Sequence, residues 1–200
     1  MGYPPAPSLI AETGDVSAET SPVADDLDLD CVLVPLLTPV EPVVTGQLRV
    51  ATALSRTSGA PLYVVDPTEA TPTEYDPGLP DDTERELAAR AARTVSRAGP
   101  PGLLRTRTLL NRILTEIRAT DDAALVVPSG AETGFLRRNL TERLGIRANC
   151  EVVTVNRCQP DDARSILVAV TGGPHSAAAA DVAGRIAADT DAWVDVLHVV

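Results

Sequence analysis

The chain predicts an α/β fold: an open parallel five-stranded sheet with helices on both faces, followed by the βαβ opening of a second copy. Three observations predict it. Short, continuously apolar runs such as Cys31-Val-Leu-Val-Pro35 alternate with helix-spaced stretches, as buried parallel strands alternate with crossover helices. Residues 164–200 restart the order already met in 30–66: apolar run, tight loop, helix pattern, apolar run. Two hundred residues, 44% of them hydrophobic, suffice for one core and the start of another.

Each element has its own reason. Residues 1–29 are rich in Pro, Ala, Ser, Thr and acids and end in Asp25-Asp-Leu-Asp-Leu-Asp30, too polar to offset ordering entropy, so disorder is expected. Strand one is Cys31–Pro35. Pro39 and Pro42 punctuate a loop, and the helix pattern of 43–58 closes at Gly59, a residue suited to the left-handed position after a helix. Strand two is Leu62–Val65, and the proline- and acid-rich 66–82 reads as a solvated loop. Thr83 with Glu86 makes a capping box, Leu87, Ala91, Val95 and Ala98 share one helical face, and Gly99-Pro-Pro101 stops the helix. Strand three is expected at 103–108 by alternation, in an edge position, and a short helix at 110–119 with Ile113, Leu114 and Ile117 inward. Strand four at 123–127, a helix at 135–144 and strand five at 150–155 complete a unit spanning 30–156. Residues 157–163 link it to the incomplete copy at 164–200, whose strand Ser165–Val170 leads to a loop at 171–176, an Ala-rich helix at 177–189 and a last strand at 194–200. A lone βαβ leaves one sheet face bare, so a truncated form, with residues beyond 163 destabilising it, is expected; a partner supplying strands is the alternative.

Charge narrows the function classes. The chain has no lysine: its 17 basic residues are arginines, set against 28 acids, for a net charge of −11. That surface repels nucleic acid and anionic membrane. It also suits a protein of high-salt surroundings, where screening relieves self-repulsion. Cys31, Cys150 and Cys158 show no CxxC spacing, which fits reduced intracellular thiols. With no signal-peptide pattern and no apolar run of transmembrane length, a cytoplasmic location is expected and no direct membrane insertion.

Ligands of such sheets bind at the carboxyl ends of the strands, where strand order reverses, which directs attention to 35–39, 65–68 and 127–134. At these places the chain resembles the universal stress protein family. Ile166-Leu-Val-Ala-Val170, Gly172, Pro174-His175-Ser176 and Leu197-His-Val199 look like that family's opening. Residues 123–155 look like its close, with Thr141-Glu-Arg143 and Cys150-Glu-Val-Val-Thr-Val155. The resemblance covers roughly residues 30–200, rests on joint order rather than one strong motif, and implies strand order 3-2-1-4-5. It also implies ATP or AMP as the candidate ligand and pairing either as a homo-oligomer or between tandem copies within the chain.

The departures bear on function. Where nucleotide-binding members carry an adenine-reading aspartate, this chain has Leu37 in the first copy and Thr171 in the second. The two opening glycines of the family's phosphate loop align with Pro128 and Ala131, and its closing Gly-Ser falls near Arg138-Asn139. Proline has no N–H to give, Ala131 does not easily take positive φ, and Glu132 adds negative charge. The candidate nucleotide-site residues are therefore a degenerate set: Pro35, Leu37, Val65, Val127, Ser129, Gly130, Gly134 and Arg137, with Thr171, Gly172 and Gly173 in the second copy. Ser129-Gly-Ala-Glu132 reads in preference as a capping box on the next helix, and Arg137-Arg138 as a solvated face.

Other chemistry is thin. His175 and His198 are the only histidines and show no metal-ligand spacing. Ser176 is expected to cap its helix, and His198 to be a core residue. The expected function is a non-enzymatic regulatory or interaction protein of universal-stress type whose first copy has lost nucleotide binding. The alternatives are an ATP- or AMP-binding sensor with an altered loop, and a soluble regulatory domain associated with a membrane transporter.

Overall fold

Eighteen consecutive residues with apolar side chains at positions 43, 44, 48, 51 and 54 form the hub of the molecule, the helix α1 (Glu41–Ser58). The computed structural model describes residues 28–66, 71–77, 85–86, 88–90, 93, 103–120, 122–129, 144–156, 164–171 and 173–198. The strands are β1 (Cys31–Pro35), β2 (Leu62–Val65), β3 (Thr73–Tyr75), β4 (Ala123–Pro128), β5 (Glu151–Val155), β6 (Ser165–Val170) and β7 (Trp193–His198). The other long helices are α2 (Leu103–Arg118) and α3 (Pro174–Thr190).

The first five strands form one sheet in the order β3-β2-β1-β4-β5. The expected order holds, but one pair is antiparallel. β1–β2, β1–β4 and β4–β5 are parallel, and β3 runs antiparallel to β2 with Leu62 opposite Tyr75. The third strand is also a different segment. Residues 103–108, expected as a strand, begin α2, and the segment expected to be all loop supplies β3. The physical reason lies in spacing: Leu103, Leu110, Ile113, Leu114 and Ile117 fall on one helical stripe, which the local Leu-Arg-Thr-Arg-Thr alternation conceals. Across from β2, Thr73 and Glu74 are exposed and Tyr75 buried, so a short polar edge strand ends the sheet.

Two apolar layers sandwich this sheet. Val32, Val34, Leu62, Ala124 and Val126 face Val44, Leu48, Ala51 and Leu54 of α1. Cys31, Leu33, Val65, Leu125 and Val127 face Leu110, Ile113, Leu114 and Ile117 of α2. All residues of β1 and β4 are buried, as expected of the two central, continuously apolar strands. Residues 85, 86, 88–90 and 93 are helical, with Ala88 packed in the α1 layer; the face expected at Leu87, Ala91, Val95 and Ala98 lies outside the described residues. Of the helix expected at 135–144, the described part is Leu144, where a helical turn runs on to 147.

Both ends of α1 follow from local chemistry. Pro42 occupies its first turn, where no N–H is required, and Thr38 Oγ1 accepts the Val40 N–H just before it at 3.2 Å. At the other end Gly59 takes φ 73° and donates its N–H to Ser55 O at 2.8 Å.

The second sheet pairs β6 with β7 in parallel. It does not extend the first sheet through β5. The two units meet through their helices, α3 lying against α1, with Val182 reaching the α1 layer of the first core and Arg56 facing Asp189 at 3.6 Å. The molecule is therefore layered as α2, five-stranded sheet, α1, α3, two-stranded sheet. Small residues allow α3 to sit between two layers: Ala183 and Ala187 are buried in it. Two expectations for this unit are corrected. His198 is exposed rather than in a core: it ends β7, an edge strand with no further strand beside it among the described residues. Ser176 does not cap α3; Gly173 holds the cap position ahead of Pro174, and Ser176 Oγ accepts the Thr171 N–H at 3.2 Å.

Candidate functional site

Strand order reverses between β1 and β4, so the carboxyl ends of these two strands flank the crevice where an open α/β sheet holds its ligand. β1 delivers Pro35 there, and the chain continues through Leu36, whose N–H donates to Val65 O at 3.1 Å. This hydrogen bond prolongs the β1–β2 ladder past the strand. Leu37 is only 6% exposed and packs in the α2 layer. Val65 and Val127 are fully buried beside it. The position expected to read a base is thus an aliphatic part of the core.

At the end of β4, Ser129 donates its N–H to Val155 O at 2.6 Å, which holds the strand end against β5. Its Oγ is buried and has no hydrogen-bond partner among the described residues. Gly130, Gly134 and Arg137 lie outside the described residues, as do Ala131, Glu132 and Arg138. The structure thus brings Pro35, Leu37, Val65, Val127 and Ser129 to one end of one sheet.

The second copy's set stands elsewhere, at the end of β6 in the other sheet. Thr171 and Gly173 are exposed; Gly172 lies outside the described residues. Gly173 has φ 88°, a conformation open to glycine and strained for other residues.

Two residues that sequence reading passed over belong to the first crevice. Gln47 is fully buried on α1, and its Nε2 donates to Pro35 O at 3.4 Å and to Val126 O at 3.1 Å, tying the ends of β1 and β4 together. Its Oε1 has no partner among the described residues. The signal was present: helical spacing places 47 on the stripe of Val43, Val44, Ala51 and Leu54, where a lone amide requires a reason. Arg112 is half-buried on α2 and donates from Nη1 to Asp66 O at 3.4 Å, just past β2. Its signal was an arginine flanked by the buried Leu110, Ile113 and Leu114.

Two thiols, Cys31 and Cys150, sit at the opposite, amino end of the strands, and Cys158 lies outside the described residues. Burial first, then the Asp30 carboxylate, raises the Cys31 thiol, partly offset by a 3.8 Å hydrogen bond to Thr120 Oγ1. Burial, then Glu151 and Cys31, pushes Cys150 up to about 11. Both are held as neutral thiols at ordinary pH, the state of a structural rather than a reactive cysteine.

Two open grooves exist away from the crevice. One of about 700 Å³ runs between the end of α1 and β3, lined by Arg56, Gly59, Glu74 and Tyr75 among others. The other, about 530 Å³, is lined by Asn111, Leu114, Thr115, Arg118 and Arg147. Neither touches a residue expected for nucleotide binding. Among the described residues, no three His, Cys, Asp or Glu side chains group to hold a metal ion, and no helix is long and apolar enough to cross a membrane.

The class defined by these features is an α/β protein with a Rossmann-like sheet whose switch-point crevice, among the described residues, is lined mainly by aliphatic side chains. No protein-family model matches the chain, and no curated protein or solved structure matches it significantly.

Proposed function

We propose that this chain is a regulatory or interaction protein of universal-stress type, not an enzyme, whose five-stranded unit has lost nucleotide binding. The observation that carries the reading is Leu37. At the base-reading position it offers no hydrogen bond, and it is packed into the core beneath α2. Replacing a buried hydrogen-bonding group by an aliphatic one removes discrimination that such sites depend on. Calorimetric titration of ATP and of AMP into the full chain at high salt tests this; no binding at micromolar concentration is expected. Micromolar affinity for either nucleotide would overturn it.

The second reading, a sensor of ATP or AMP with an altered loop, is favoured by one specific observation. Ser129 Oγ and Gln47 Oε1 are buried polar atoms near the carboxyl end of β4 without partners among the described residues. Such atoms are costly unless something satisfies them. The same titration separates the two readings, and Ser129→Ala identifies the loop: under the sensor reading it weakens binding, under the first there is nothing to weaken.

A further inference from the structure

The two βαβ openings share one layout. Val32 pairs with Leu62 and Leu33 with Tyr63, while Ile166 pairs with Val194 and Leu167 with Asp195. Side chains alternate across a strand, so Leu167 stands on its sheet where Leu33 stands on the first. In the first unit that face is closed by α2, and Leu33 is 3% exposed. In the second it is open: Leu167 is 68% exposed, Trp193 71% and Leu197 50%. These three surround Asp195 on the same face, and the edge of β6 away from β7 carries no strand among the described residues. An apolar patch of this kind on an acidic protein marks an interaction surface.

The molecule itself shows what closes such a face. The helix over Leu33 is amphipathic and basic: α2 carries Arg105, Arg107, Arg112 and Arg118 against the single acid Glu116, in a chain of net charge −11. Its aliphatic stripe of Leu110, Ile113, Leu114 and Ile117 covers the sheet. The open face offers the matching chemistry, aliphatic and aromatic surface around one carboxylate. A second copy docking face to face would set Asp195 near its own equivalent, which disfavours self-pairing.

We propose that the exposed face of β6–β7 is a docking site for a basic amphipathic helix of a partner protein, seated on Leu167, Trp193 and Leu197 with a basic side chain at Asp195. This is helix recognition by an apolar surface, with charge setting specificity. It is independent of whether the first crevice binds nucleotide.

Trp193 is the chain's only tryptophan, so its fluorescence reports this face alone. The probe is a synthetic peptide with the sequence of residues 103–119, titrated into the full-length chain. A saturable blue shift of Trp193 emission at micromolar peptide is expected, with no response to a scrambled peptide of equal composition. Leu167→Asp abolishes the shift, and Asp195→Arg weakens binding at least about tenfold, the equivalent of about 1.4 kcal/mol. Both positions are exposed, and unchanged far-UV circular dichroism verifies that each variant folds. No shift, an equal response from the scrambled peptide, or an undiminished response in Asp195→Arg overturns the proposal. So does a blue shift that grows with protein concentration alone, which assigns the face to a second copy.

Discussion

Gln47 ties two adjacent strands together at their carboxyl ends. Its amide bridges Pro35 O and Val126 O from a fully buried position. Gln47→Ala removes the donor and leaves a void between α1 and the sheet, so a loss of about 2–4 kcal/mol is expected in urea denaturation. A variant within about 0.5 kcal/mol of the parent would show that the bridge carries no weight. Cys150 gives a second prediction at this scale. Its thiol lies at about 11 when folded, against an ordinary value of 9.0. As pH rises from 9 towards 11 the unfolded chain ionises first, so this group's contribution to stability is intact below 9 and is lost through 11. Unfolding at fixed temperature should therefore shift to lower urea across that window, and Cys150→Ser should flatten the shift. A slope unchanged by the substitution would remove Cys150 as its source.

Among the elements, α3 has the double duty of covering β6–β7 and attaching that sheet to α1. Val182 is the side chain that reaches into the neighbouring core, and Asp189 faces Arg56 across the joint. The ion pair is exposed enough that its loss costs little, roughly 1 kcal/mol or less. Val182→Asp is different, since it places a carboxylate against apolar surface. Limited proteolysis should then cut faster within residues 157–163, with the melting of the five-stranded unit little changed. Equal cutting rates would show the joint to rest on other contacts. How far these elements could be foreseen depends on the signal each carries. β1, β4 and α1 were legible because continuous burial and helical spacing admit one reading each. The 103–108 segment was not, since the short run Leu-Arg-Thr-Arg-Thr satisfies both periods, and tertiary packing of the stripe ending at Ile117 decides for helix. β3 was hidden for the opposite reason. Three residues, two of them exposed, make a strand solely by pairing with β2. The crevice was located from topology, but Gln47 and Arg112 act there through backbone carbonyls distant in sequence, which no local pattern encodes.

For the whole molecule, charge governs how the fold responds to its surroundings. A net charge of −11 without any lysine repels itself when unscreened. The screening length falls from about 30 Å at 0.01 M salt to about 3 Å near 1 M, so the melting temperature should rise steeply across that range. A flat profile between those limits would count against adaptation to high salt. The central pairing of the sheet has a consequence of another kind, for the order in which the chain assembles. β1 finds β2 within one crossover, but its other neighbour arrives from far along the chain: the Asp30 carboxylate accepts the N–H of Asp122, 92 positions away. Closing so wide a loop costs entropy before any contact repays it. The β1-α1-β2 segment and its twin β6-α3-β7 are both local, whereas α1 meets α3 across a longer stretch of chain than β1 meets β4. During synthesis the ribosome releases the first of these segments well before β4, so one side of β1 stays open while the intervening chain is made. In this fold the middle of the sheet closes late, and the joint between α1 and α3, wider still in sequence, closes after it.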